Sequence, residues 1–444
     1  MIISLNRSQL ARLLTIALIF PIIWLDSLYG ILSYVGLDVV RVSLAFRMLL
    51  LALGLVLIYT QRGLLPSLLK SIILLWLLLL LIQSYPVGDT GFFSDLNIFL
   101  RWIYPFVITL LALYIYREYG VVEQLSEKGI AHFGWVFGAF MVFSFASGIG
   151  LDSYGDHAFG IKSFYVGGND VGLAALISLC VLAAFFYEQL SWSSAGKLLL
   201  CFSGLTLLGT KAGWIGAAII LSVFFALYLL FKRSVTLQQR VAKTIVAIML
   251  SVVVVSVSSF VHKNYELFEY QLTQIGQIME GANPRALLVL AGERELQQHD
   301  KQADLVGLGE RFYLGSGREH YLISNNSRVF DTYLIIEQDW YDLRGAFGVP
   351  FALFMSAMHL FFWFAAIALF FRQPTIRHFS FILALTIYLG HGYAAGHAFM
   401  GTQPSSLVGI IYALIVVQWQ RLRQATPTAV QQTASQQRSG AVGH

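Results

Sequence analysis

Charge is what this chain has least of. Asp, Glu, Lys and Arg make up 12% of its 444 residues, against about 25% in an ordinary soluble domain, while 57% are hydrophobic and the mean hydropathy is +0.70. A soluble core needs no such composition, so a soluble enzyme or binding domain is excluded as the main body. Cysteine is almost missing: Cys180 and Cys201 both lie in apolar runs and are too few for a disulfide framework or a zinc site. There is no Walker sequence, no soluble-type dinucleotide fingerprint and no repeat of solenoid period, which argues against ATP-driven transport. The first apolar run follows Arg7 and Arg12 and lacks a small-residue cleavage site, so it is expected to stay as a signal-anchor helix. The net charge of +5 reads mainly as topogenic Lys and Arg rather than a binding patch, and no nucleic-acid partner is expected.

Apolar runs long enough to cross about 30 Å of hydrocarbon are abundant. The expected spans are 13–35, 42–60, 64–84, 98–116, 131–149, 168–188, 195–209, 211–231, 244–261, 346–371, 378–396 and 404–420. The fold class is therefore all-α, a polytopic membrane protein of about twelve helices with one large loop between helices 9 and 10. The chain divides into helices 1–9 (1–261), the loop (262–345), helices 10–12 (346–420) and a tail (421–444). With the N-terminus inside, one set of connections carries Arg62, Arg117, Lys128, Lys197, Lys232, Arg233, Arg372 and Arg377. The opposite set has Asp89 and Asp95 in 85–97 and no formal charge in 397–403. That bias puts both termini in the cytoplasm and the loop outside. From Ala425 onward, Gln, Ser, Thr and Ala dominate, and disorder is expected.

Four cations fall on the external side, where the positive-inside bias does not put them: Arg47 in the second span, Arg101 in FLRWIYP, Lys162, and Lys211 in GTKAGWIG (209–216). They suit an anionic headgroup such as a lipid diphosphate, approached by backbone N–H groups where glycines leave room. Snorkelling, or pairing with Asp152, Asp156 or Asp170, explains each of them equally well. Asn169 and Asp170 in YVGGNDVG (165–172) suit either capping of the sixth helix or substrate contact.

The loop is the chemically richest segment. GLGERFYLGSGREHY (307–321) supplies Arg311, Arg318 and His320, and 324–349 supplies Arg328, Arg344 and the acids Glu337, Asp339 and Asp342. Three carboxylates within six residues repel, so one becomes a candidate general base, or a cation sits between them. An acidic first turn of the next helix gives the same spacing. The upstream stretch 264–281 has a helix-like amphipathic period and suits a lid or scaffold on the membrane surface.

The order of these segments, a GND opening a mid-chain helix, a GTKAG turn, then a large loop running GLG…IEQDWYDLRGAFGV into the last helices, resembles the O-antigen ligase/polymerase superfamily, and within it the Wzy-like repeat-unit polymerases. The resemblance implies a GT-C-like glycosyltransferase of the bacterial inner membrane. It would act on the periplasmic face and polymerise undecaprenyl-diphosphate-linked oligosaccharides into O-antigen, capsule or exopolysaccharide. Ligases of the superfamily carry a His-Asn pair before the post-loop helix; here that stretch has Glu337 and Asp339, and Lys211 stands in a turn that often reads Ser-Arg-Gly. Both departures favour the polymerase branch over an O-antigen ligase acting on lipid A core. The expected catalytic acids are Glu337, Asp339 and Asp342. The expected substrate and diphosphate residues are Arg47, Arg101, Lys162, Asn169, Lys211, Arg311, Arg318, His320, Arg328 and Arg344. No cofactor is expected, with Mg²⁺ or Mn²⁺ on the acids as the alternative. The implied partners are the lipid-linked glycan, the bilayer, a chain-length regulator and a flippase. The rival from another class is a lipid-linked oligosaccharide flippase, disfavoured because one loop breaks the repeat symmetry that transporters show.

Overall fold

The computed structural model describes residues 6–37, 39–83, 91–120, 122–152, 159–232, 286–299, 302–324 and 334–440, with isolated positions 241, 244, 262, 265 and 269. Helix dominates, as a chain without bilayer water to satisfy its backbone requires. α1 (Arg7–Ile19) and α2 (Pro21–Tyr34) form one span bent at Pro21, whose missing N–H releases a helix bond. α3 (Val42–Thr60), α4 (Leu64–Gln83), α5 (Gly91–Tyr119) and α6 (Glu123–Ser147) follow. A short antiparallel pair, β1 (Leu151–Asp152) and β2 (Ile161–Ser163), leads into α7 (Gly168–Glu188), α8 (Trp192–Leu207) and α9 (Lys211–Phe231).

The described part of the long loop is helical: α10 (Ala286–Gln297), α11 (Gln302–Val306), α12 (Glu310–Ser324) and α13 (Asp339–Phe347). The chain ends in α14 (Val349–Arg372), α15 (Ile376–Ala394) and α16 (Thr402–Gly440).

Among the described residues nine helical stretches are long and apolar enough to cross a membrane, and the chain is a multi-pass membrane protein. They match the expected spans, with α7 and α9 starting and ending at the expected residues. α8 is only 16 residues long, and α15 carries Arg377, His378 and His391; both nevertheless pack in the bundle, α8 on α6 and α15 on α7. The span expected over 244–261, apart from Thr244, lies outside the described residues, as do most of 264–281 and Arg328. α16 continues to Gly440, through the stretch for which composition argues disorder.

α5 and α7 form the centre, with 83% of their apolar windows buried, whereas α3, α4 and α9 bury 28% and present leucines outward to lipid. The two ends of the bundle differ in chemistry. At the end away from the long loop, Arg377 of α15 grips both oxygens of Glu188 (2.8 and 2.7 Å) and reaches Glu127 of α6 at 3.1 Å, while Arg421 meets Glu123 at 2.9 Å. Glu127 is 2% exposed, so it depends on that guanidinium. Arg377→Gln is expected to cost roughly 2–3 kcal/mol, discounted because the arginine is itself about a third exposed. Arg421→Gln, removing a pair whose arginine is 54% exposed, is expected to cost less than about 1 kcal/mol. Thermal unfolding in one detergent compares the two; equal losses would contradict the assignment of Glu127 as the dependent partner.

Candidate active site

At the loop end, the starts of α3, α5, α7 and α16 and the ends of α2 and α15 converge. Asp26, inside α2, is 6% exposed and accepts from both directions: the Arg47 guanidinium of α3 at 2.7 Å to each oxygen, Gln403 Nε2 of α16 at 2.8 Å, and the Ser43 hydroxyl. An ionised group in a bilayer is costly unless paired, and here the pair is closed within the protein. Arg47, expected to meet a diphosphate, thus has its charge matched by Asp26. Arg101, exposed on α5, remains the outward guanidinium of this group.

Asp170 stands in electrostatic contact with His397, Arg101, Arg47 and Asp26, which makes the first turn of α7 the meeting point. Gly167 is the N-cap, with no side-chain cap bond, so Asn169 and Asp170 lie within the first turn rather than capping it. The Lys162 stem runs past Gly168, its Cε 3.5 Å from where a Cβ would stand. Lys211 opens α9 after Gly209, whose φ of +73° suits glycine and where a Cβ would stand 2.3 Å from the Phe159 carbonyl oxygen. The same turn meets Gly160, and Leu208 and Thr210 beside it lie against Gly168 and Gly172 of α7.

The remaining basic residues lie elsewhere or are committed. Arg344 is clamped by Glu293 at 2.6 Å and Asp304 at 3.0 and 3.1 Å, tying α13 to α10 and α11. Arg311 opens α12 beside buried Asp95 of α5, where the loop helices rest on the bundle. Arg318 is on the exposed face of α12, and His320 is half-buried on the same helix.

The three acids part company. Asp339 and Asp342 are fully buried: Asp339 Oδ2 accepts from the Phe399 N–H at 2.8 Å, and Asp342 Oδ1 from the Ile336 N–H at 3.0 Å. Their second oxygens are buried and have no hydrogen-bond partner among the described residues. Burial pushes Asp339 up to about 7 and Asp342 up to about 8, so both favour the neutral carboxyl. Sealed from an entering hydroxyl, they fasten loops; their crowding is the acidic first turn of α13, not a set of open bases. Among the described residues no group of three His, Cys, Asp or Glu side chains is placed to hold a metal ion.

Glu337 alone is open, and it faces a residue that sequence reasoning missed. His397, in the AGHAFMG loop (395–401) between α15 and α16, lies 3.6 Å from the Glu337 carboxylate. Burial disfavours the imidazolium, but Glu337 at 3.6 Å and the charge of Asp170 outweigh it and hold His397 up at about 9. Glu337 and His397 both have left-handed backbones, φ 59° and 62°, two of the three such non-glycine residues among those described. Each costs roughly 1–3 kcal/mol, a strain that persists only where surrounding contacts impose it.

The contacts are plain. Phe399 is stacked on His359 at 4.3 Å and flanked by Trp102 and Tyr388, while the His391 ring donates to the Gly396 carbonyl at 2.8 Å. The signal for His397 was available as a histidine beside glycine in a short turn, and for Asp26 as a lone acid in an apolar run.

Compared with known proteins, the chain matches no family model and no curated protein.

These shifts give the site a defined pH dependence. All three groups bind protons more tightly folded than unfolded, so each contributes stability that is full below its unfolded value and lost as pH rises through the folded one. Wild-type stability is expected to fall from about pH 4 to 8 through Asp339 and Asp342, and from about 6.5 to 9 through His397. Asp342→Asn should flatten the acidic part and Glu337→Gln the alkaline part of a thermal-midpoint profile. Parallel profiles for both variants and wild type would refute this.

Proposed function

We propose that this protein is a glycosyltransferase that polymerises polyprenyl-diphosphate-linked oligosaccharide repeat units, working at the loop end of the bundle on the periplasmic face of a bacterial inner membrane. The observation that carries the reading is the Glu337–His397 pair: a carboxylate and an imidazolium, both on strained backbone, facing each other where the bundle meets its loop helices. The cations Arg101, Lys162 and Lys211 gather at the same end, where a lipid diphosphate at the membrane boundary would lie. The likeness of the GND, GTKAG and IEQDWYDLRGAFGV segments to repeat-unit polymerases supports the substrate class.

In the proposed reaction Glu337, ionised beside its imidazolium partner, takes the proton of an acceptor sugar hydroxyl. The hydroxyl oxygen bonds to the anomeric carbon of the growing chain as the bond from that carbon to the diphosphate oxygen breaks. The leaving diphosphate keeps the bonding electrons, and its charge is met by Arg101, the lysines and His397. Asp26 acts as a positioning residue for Arg47, and Asp339 for the His397 loop.

Purified protein given a lipid-diphosphate-linked repeat unit alone should form a ladder of multiples. Glu337→Gln and His397→Gln should each slow the ladder by about 100-fold or more, the scale of general acid–base catalysis. Ladders of wild-type intensity from both variants in folded protein would overturn the assignment. Product formed only when lipid A core is added would move the chain to the ligase branch.

A further inference from the structure

The end of the bundle away from the loop holds a large groove that the reading above does not use. It is a cleft of about 890 Å³ between the start of α4 (63–68), the face of α5 carrying Leu110 and Leu113, α14 from Phe354 to Ala368, and α16 from Ile415 to Arg423. Along α14 the lining covers fourteen residue steps, about 21 Å at 1.5 Å each, more than half of an about 30 Å hydrocarbon core. Ala357, Ala365 and Ala368 give the slot its depth, and Phe361 and Phe364 on its wall are 61% and 59% exposed, so it opens toward lipid rather than into the bundle.

Its charge is at one end. Arg117 of α5 and Arg423 of α16 both line the groove where these helices leave the apolar zone, and both are exposed. Neither has an ion-pair partner among the described residues, while Arg377 and Arg421 at the same end are neutralised by Glu188, Glu127 and Glu123. Arg372 adds a third cation over the Trp419 ring at 6.0 Å, and the Trp419 indole donates to the Ala365 carbonyl at 3.0 Å, fixing that ring at the groove. An apolar slot of acyl-chain length ending in unpaired guanidiniums matches a lipid with a negative headgroup. A zwitterionic lipid fills the slot equally well but brings no net charge to Arg117 and Arg423.

We propose that this groove is a specific binding site for one anionic phospholipid of the leaflet at the Arg117 end. The proposal stands apart from the glycosyltransferase reading, since it uses none of that site's residues. The bound lipid bridges α4 to α14 and α16 across the cleft between them.

Native mass spectrometry of the full chain, titrated with dioleoyl phosphatidylglycerol and separately with dioleoyl phosphatidylcholine, tests it. The expected result is one phosphatidylglycerol adduct retained at least ten-fold more strongly than phosphatidylcholine. The Arg117→Gln, Arg423→Gln double variant should reduce that preference to near one, while Arg421→Gln, whose charge is paired, should leave it intact. Ala365→Trp, checked for folding by thermal scan, should displace both lipids. Equal retention of the two lipids by wild type, a preference that survives the double variant, or a preference lost equally in Arg421→Gln would overturn it. So would polyprenyl phosphate displacing phosphatidylglycerol at a tenth of its concentration, which would mark the groove as a substrate path.

Discussion

One hydrogen bond, from the Phe399 N–H to the buried carboxyl of Asp339, joins the loop helices to the last two helices of the bundle. Without it a backbone donor and a carboxyl group would both be stranded in a dry core, at a cost of about 1–3 kcal/mol for each group left unsatisfied. With it, α13 and the 395–401 loop are held at one relative position, and the residues just outside that bond, Glu337 and His397, have little choice but to face each other. Gly396 completes the arrangement: a Cβ there would stand 2.2 Å from the Glu337 carbonyl carbon, so the two loops touch backbone to backbone. The left-handed backbones of Glu337 and His397 follow from that closeness.

The bundle treats charge differently at its two ends. Away from the loop, carboxylates of α6 and α7 are matched to Arg377 and Arg421, which is how a helix bundle ties its termini where water returns. At the loop end Asp26 and Arg47 neutralise each other inside the spans, and Gln403 joins them across the whole length of the chain. Arg101 is exposed there, beside the first turn of α7. Arg47 and Arg344, both expected from sequence to meet the substrate, are instead committed to Asp26, Glu293 and Asp304.

The helices were legible because bilayer thickness is written into the length of apolar runs, and α7 and α9 were readable to the residue. α5 begins earlier than the hydropathy suggests, at Gly91, and its first turns carry buried Asp95 beside Glu310 and Arg311 at the start of α12. The site was legible only in part. Glu337 was found from acid crowding, yet the same crowding pointed equally to Asp339 and Asp342, whose partners are backbone amides that spacing cannot reveal. His397 was passed over because a formal-charge count treats histidine as neutral, and its proton is held by partners about 60 and about 230 residues away in the chain. Asp26 was hidden inside a run read only for its apolarity. Local periodicity records which face is buried; it does not record who waits there.

The central claim is that Glu337 and His397 flank the bond being transferred. The most direct measurement is an experimental structure of the full chain in lipid nanodiscs, bound to a lipid-linked repeat unit whose diphosphate is replaced by a non-cleavable methylene diphosphonate. The account predicts the first sugar within hydrogen-bond reach of Glu337 and His397 and the diphosphonate against Arg101. Density for the sugar and diphosphonate elsewhere, such as along the Arg318 face of α12, with Glu337 and His397 untouched, would contradict it.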